Sequence, residues 1–193
     1  PRGCVVVTST PRSQVLVQAL LTDLKMEPLR GNLDTRLRKS DEGQYDAIVL
    51  AAAGLKRLEM GERIRATFAP TAMLPAAGQG ALGIEVRSDR QDLIDALAPL
   101  AHMPTWLTVT AERAVSRAMG GSCSMPLAAH GTLTGTTLQL DAAWGDTEGK
   151  LPLVRASASA TVTTLAQADA LGLAIAQQLR DGGAVGTTPA TAG

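Results

Sequence analysis

Cys4-Val5-Val6-Val7-Thr8-Ser9-Thr10-Pro11, followed by Val15, Leu16, Ala19, Leu20 and Leu24 at helical spacing, decides the fold class. A β-branched run closed by hydroxyl residues and a proline reads as a strand handing over to a helix: branched side chains suit a pleated sheet, whereas Ser, Thr and Pro suit a helix start. The run Asp46-Ala47-Ile48-Val49-Leu50-Ala51 reads as a second strand, apolar enough to be buried on both faces of a parallel sheet. A polar segment from Arg30 to Tyr45 leads into it. Strand and helix in alternation predict an α/β domain.

Further along, Leu74-Pro75-Ala76-Ala77-Gly78-Gln79-Gly80 is small and rich in Pro and Gly, the composition of a crossing between lobes. Ala81 to Val86 is a strand candidate, and Asp92 to Leu100 a short helix that Met103-Pro104 breaks. Thr108 to Met119 repeats apolar positions at Val109, Ala114, Val115 and Met119. Leu127 to Trp144 and Leu151 to Thr163 alternate loosely. They are split by Gly135 and by Gly145-Asp146-Thr147-Glu148-Gly149, as hairpins are. Leu165, Ala168, Leu171, Ile175 and Leu179 share one helical face that Gly182-Gly183 ends, and the tail from Thr187 to Gly193 has a disorder-prone composition.

Composition narrows the function. The chain has 193 residues and its aromatic rings are Tyr45, Phe68, Trp106 and Trp144, too few for a base-stacking platform. Lys plus Arg and Asp plus Glu both total 18, so no global field draws in nucleic acid or membrane, and any anion site is local. Cys4 and Cys123 are far apart and outside any paired motif, which argues against a disulfide framework and against a metal site, and predicts a reducing, cytoplasmic setting. No apolar run reaches the roughly 20 residues of a membrane span, and no signal-peptide layout opens the chain. It begins at Pro1-Arg2-Gly3 without Met, directly before a strand, which predicts a cut inside a longer protein.

Three features carry chemistry. Thr8-Ser9-Thr10 stands where a strand meets a helix N-terminus, whose free amides and dipole favour an anion, although a plain N-cap would look the same. Arg30, Arg36, Arg38, Lys39, Lys56 and Arg57 flank the Asp46 to Ala51 strand. They form either a solvated face or a set of carboxylate forks. Cys123 lies among Gly120, Gly121, Ser122 and Ser124 with little to pack against, unlike the buried hydrophobe that a free cysteine usually is.

Ordered motifs decide between these readings. Arg30-Gly31-Asn32-Leu33-Asp34-Thr35-Arg36-Leu37 and Tyr45-Asp46-Ala47-Ile48-Val49-Leu50-Ala51-Ala52-Ala53-Gly54-Leu55-Lys56-Arg57-Leu58 closely resemble blocks of the porphobilinogen deaminases. The run from Leu74 to Glu85, Thr110-Ala111-Glu112-Arg113-Ala114 and Gly120-Gly121-Ser122-Cys123-Ser124-Met125-Pro126 follow in that family's order. The resemblance reaches to about Ala184. It implies tetrapyrrole biosynthesis: condensation of porphobilinogen head to tail, with loss of ammonia, on a dipyrromethane primer joined to Cys123 by a thioether. Arg12, Arg30, Arg36 and Arg57 would bind the acetate and propionate groups, with Thr8 and Thr10 as donors. Ser13 stands where the family usually has a second arginine, and Gly-Gly-Ser-Cys where many members have Gly-Gly-Cys.

The resemblance also implies a domain plan. Residues 1–75 would form a periplasmic-binding-protein-like α/β lobe and 76–102 a hinge with a returning piece of the first domain. Residues 103–185 would form a small α+β domain with a three-stranded antiparallel sheet, before a disordered tail at 186–193. The catalytic aspartate would lie before Pro1, so no catalytic residue is assigned here. The strand expected at Gly80 to Val86 would belong to a sheet whose other strands also lie there, leaving it unpaired. Porphobilinogen and the growing pyrrole chain would be the partners, nucleic acid and membrane would not, and the full-length protein would be a monomer. The rival reading is a non-catalytic binder of small polycarboxylates on a two-lobed fold, and a third is a fragment that pairs with a separate first domain.

Overall fold

The computed structural model describes residues 3–29, 31–122 and 125–186. They divide into two compact units. One runs to Leu74 and includes Ser122–Leu127 and Trp144–Val154; the other comprises Pro75–Gly121, Ala128–Ala143 and the chain from Arg155.

In the first unit β1 (Val5–Thr8) lies between β2 (Lys25–Pro28) and β3 (Ala47–Ile48), all parallel. Val6 and Val7 of the central strand are buried, pairing with Met26 and Glu27 on one side and Ala47 and Ile48 on the other. Helix α1 (Pro11–Leu20) follows the turn after β1, and Thr10 caps it by accepting the Ser13 amide. Its buried face is Ser13, Val15, Leu16 and Val17, whereas Ala19 is exposed and Leu20 is 40% exposed, so the apolar spacing overstated the burial of its last turn.

The sequence reading missed two elements. Lys25-Met26-Glu27-Pro28 is too polar to read as a strand, yet at a sheet edge only one side needs pairing, and Pro28 falls at the end where its missing N–H costs nothing. Helix α2 (Leu33–Asp41) lies inside the polar segment, capped by Asn32 through the Thr35 amide, with only Leu37 buried. A mostly solvated helix carries little apolar periodicity. The Asp46–Ala51 strand is also corrected: only Ala47–Ile48 forms β3, and the run is half-buried or exposed because β3 is the other sheet edge. Helix α3 (Ala52–Arg57) follows, and a 3-10 turn at Gly61–Arg63.

The second unit packs α5 (Met103–Ala118) and α6 (Leu165–Asp181) together beside β4 (Leu127–Thr134), β5 (Thr137–Trp144) and β6 (Val154–Thr161), an antiparallel sheet in chain order. The short helix expected before Met103-Pro104 ends at Leu100, and Pro104 itself occupies the first turn of α5, where its missing N–H would be unpaired anyway. Thr164 and Gln167 form a reciprocal capping box at the start of α6. The core holds Ala111, Ala114, Val115, Met119, Leu138, Leu140, Ile175 and Leu179. Helix α4 (Gln91–Leu97) has no buried residue. The strand expected at 81–86 does not form: no strand pairs with it among the described residues, and Leu82 and Ile84 are 90% and 62% exposed.

Candidate functional site

Three parallel strands point their carboxyl ends the same way, and the chain leaves β1 for β2 on one side before returning to β3 on the other. In open α/β sheets a reversal of this kind is where a ligand-binding crevice lies, beyond the carboxyl ends. Ser9 and Thr10 stand at the end of β1, Gly31 and Asn32 beyond β2, and Val49 to Ala51 beyond β3.

Two arginines, one on each of the helices that follow β1 and β2, are held there by hydrogen bonds. Arg36, in the first turns of α2, donates from Nε to the Gly31 carbonyl at 2.7 Å and from Nη1 to Ser9 Oγ at 3.0 Å, which aims its fork at the turn after β1. Arg12, in the first turn of α1, donates to the Leu74 carbonyl at 2.6 Å and to Ser13 Oγ at 3.2 Å. Burial lowers the Arg12 pKa from its ordinary value. Ser13 is itself buried and also accepts from the Thr10 hydroxyl at 2.8 Å. Ser13 therefore orients the Arg12 guanidinium.

Of the residues read from sequence, the structure gathers Thr10, Arg12 and Arg36 around the end of β1, where Thr8 is buried. Arg57 is exposed at the end of α3, apart from these hydrogen bonds. Arg30 and Cys123 lie outside the described residues. Arg38, by contrast, pairs with Glu42 at 2.6 Å on the solvent face of α2. The Leu74 carbonyl was not singled out from sequence, and Ser9 only as part of the Thr8-Ser9-Thr10 turn: the partners these oxygens accept from, Arg12 and Arg36, carry no signal until the fold joins them.

Guanidinium and hydroxyl groups beside helix-start amides suit an anionic ligand that carries carboxylates. Residues 1–95 match the family profile described as porphobilinogen deaminase, dipyromethane cofactor binding domain, and residues 106–181 match porphobilinogen deaminase, C-terminal domain. The chain belongs to the porphobilinogen deaminase family. It is 71% identical to the porphobilinogen deaminase of Albidiferax ferrireducens over 180 residues, covering 93% of this chain and 57% of that protein. It is 57% identical to that of Ralstonia nicotianae over 185 residues, covering 95% and 55%, and 50% identical to that of Chromobacterium violaceum over 184 residues, covering 95% and 58%. The chain thus spans somewhat more than half the length of these family members. Among the described residues no helix is long and apolar enough to cross a membrane.

A second buried polar centre lies in the other unit. Glu112 of α5 is 5% exposed and accepts the Gly78 amide at 2.7 Å and the Gly131 amide at 2.8 Å, with His130 Nδ1 at 3.8 Å. Burial raises its pKa above 4.5, against the lowering effects of the two amide bonds and of His130. The native state then holds the Glu112 proton more tightly than the unfolded chain, so this contribution to stability is fully present at low pH and declines as pH rises from about 4.5 through the raised value. Melting temperatures of the protein and its Glu112→Gln variant, compared at pH 4.5 and pH 7, should show wild type faring relatively better at the lower pH. A constant difference would show that the carboxyl does not titrate with folding.

Proposed function

We propose that this chain provides the surface on which a porphobilinogen deaminase holds its dipyrromethane cofactor and growing pyrrole chain, in the condensation of porphobilinogen to hydroxymethylbilane with release of ammonia. The observation that carries the reading, beyond the family match, is the Arg36–Ser9 pair in the turn after β1, with Arg12, Thr10 and Ser13 bonded to one another at the adjoining start of α1. Each pyrrole unit brings an acetate and a propionate, so elongation builds a polyanion. Fixed cations in a partly dry crevice bind such a ligand more strongly than cations in water would.

In this reading Cys123 holds the cofactor through a thioether, Arg30 and Arg57 extend the set of carboxylate partners, and Thr8 and Thr10 contribute donors at the turn, from Thr10 the backbone amide because its hydroxyl proton is given to Ser13 Oγ. When bound, the cofactor supplies the pyrrole position to which the first substrate unit is joined. This chain binds and orients the carboxylates. The domain plan of 1–75, 76–102 and 103–185, with a binding-protein-like first lobe, is supported by the break between units at Leu74 and by the gap between the matched profiles at residues 95 and 106. A cytoplasmic monomer is the setting we infer for the complete enzyme. The family match, rather than the crevice itself, favours the deaminase over a non-catalytic polycarboxylate binder.

The test uses the chain completed with the remaining part of the Albidiferax ferrireducens relative. Arg36→Leu and Arg30→Leu should each lower cofactor assembly or chain elongation about 10- to 100-fold, since a lost charge-assisted hydrogen bond costs about 1.5–3 kcal/mol. Arg38→Leu, which removes only a solvent-facing pair with Glu42, should change turnover less than twofold. Equal effects of all three would reduce the cluster to a solvated basic face.

A further inference from the structure

Strand β4 is the first strand of its sheet and pairs only with β5, so alternate amides along it point away from the sheet. Unpaired amides of this kind are an open template for another strand. Here two of these outward donors are taken, and by different means. Ala129 donates to the Pro75 carbonyl at 3.1 Å, and Gly131, two residues on, donates to Glu112 Oε1 at 2.8 Å. The other oxygen, Oε2, accepts the Gly78 amide at 2.7 Å. One carboxylate therefore joins helix α5, strand β4 and residues 75–78.

Local geometry is shaped around this point. Gly78 adopts φ +76°, a conformation that L side chains rarely take, and it begins the turn in which Ala81 donates to its carbonyl. A Cβ on Gly131 would come within 3.3 Å of both Leu138 Cδ1 and Thr108 Cβ, so its absence lets α5 approach the strand closely enough for Glu112 to reach the edge. The crevice described above uses none of these groups. A glutamate among Ala111, Ala114 and Val115 on a buried helical face is costly unless both oxygens are satisfied, and here both are.

We infer that residues 75–80 form a strap seated on the outer edge of β4 and that Glu112 is its latch. The strap takes the place of a missing strand at Ala129, and the carboxylate does so at Gly131 while pinning the strap through Gly78. Loss of the carboxylate releases Gly78 and Gly131 directly. It also weakens the Ala129–Pro75 bond, which Glu112 does not touch.

Amide hydrogen exchange on the completed protein tests this coupling. Glu112→Ala should speed exchange at Gly78, Gly131 and Ala129 together by about tenfold or more, while amides in the middle of α6 change little. Glu112→Gln preserves the volume and one acceptor oxygen and serves if the alanine variant does not fold. It should release Gly78 or Gly131 and give an intermediate rate at Ala129. If Ala129 exchanges at the wild-type rate in both variants, the strap is seated without Glu112 and the latch is refuted. If all amides of the unit accelerate alike in the glutamine variant, Glu112 is a general core residue, which also refutes it.

Discussion

Cys123→Ser, introduced into the completed protein, is expected to abolish covalent dipyrromethane, leaving a denatured mass equal to that of the bare chain and no colour with Ehrlich's reagent in acid. The chemistry is one-sided. A free thiol ionises near pH 8.5 and supplies some thiolate at neutral pH, whereas a serine hydroxyl supplies almost no alkoxide and is a far weaker nucleophile toward carbon. Cys4→Ser provides the control. Cys4 is half-buried at the start of the first sheet, where its carbonyl accepts the Lys25 amide, a bond that any residue could make. Its replacement should leave the dipyrrole mass unchanged. Dipyrrole retained in the Cys123 variant would remove that residue from the proposed site. Loss in the Cys4 variant alone would move the attachment to the sheet.

Gly172→Val should be the most damaging substitution in the second unit. Gly172 lies on the face of α6 against α5, and a Cβ there would stand 2.3 Å from the Ala111 carbonyl oxygen and 2.5 Å from Ala114 Cβ. Neither neighbour can rotate away, because one is backbone and the other is a methyl fixed to it. The helices must separate, uncovering Ala111, Ala114, Ile175 and Ala176. Overpacking of this kind costs about 1–3 kcal/mol. A branched residue at a backbone contact belongs at the upper end, and melting should fall by about 10–20 °C. Gly172→Ala makes the sharper test. Helix propensity alone favours alanine over glycine by about 1 kcal/mol, so an alanine variant that melts higher than wild type would show that the helices can part for less than that. A lower melting temperature confirms that backbone proximity outweighs propensity.

How much was legible beforehand differed between the units. In the second, the α6 face and the hairpins split at Gly135 were readable, because α6 and the first strands of the sheet each bury one clean face. In the first, β2 and α2 escaped notice. An edge strand with Lys25 and Glu27, and a helix with one buried residue, leave almost no apolar period to read. The burial expected of Asp46 to Ala51 failed for a related reason: apolar residues fit a doubly covered strand, but this one became an edge.

The candidate site divides along the same line. Residue types and ordered motifs were enough to single out Arg12, Arg36, Thr10 and Cys123 and to place the chain in its family, because carboxylate binding and thioether formation each need particular side chains wherever they stand. Which arginine meets which partner was not in those motifs. Arg36 with Ser9, Arg12 with Leu74, and Glu112 with Gly78 and Gly131 are pairs separated by 27, 62, 34 and 19 residues. Sequence determined the chemistry available to this protein, since that is a property of single side chains and their near neighbours. The tertiary structure alone decided how the charges are held. A buried guanidinium or carboxylate takes whatever backbone group the packing brings to it, and distant segments meet only once the core has formed.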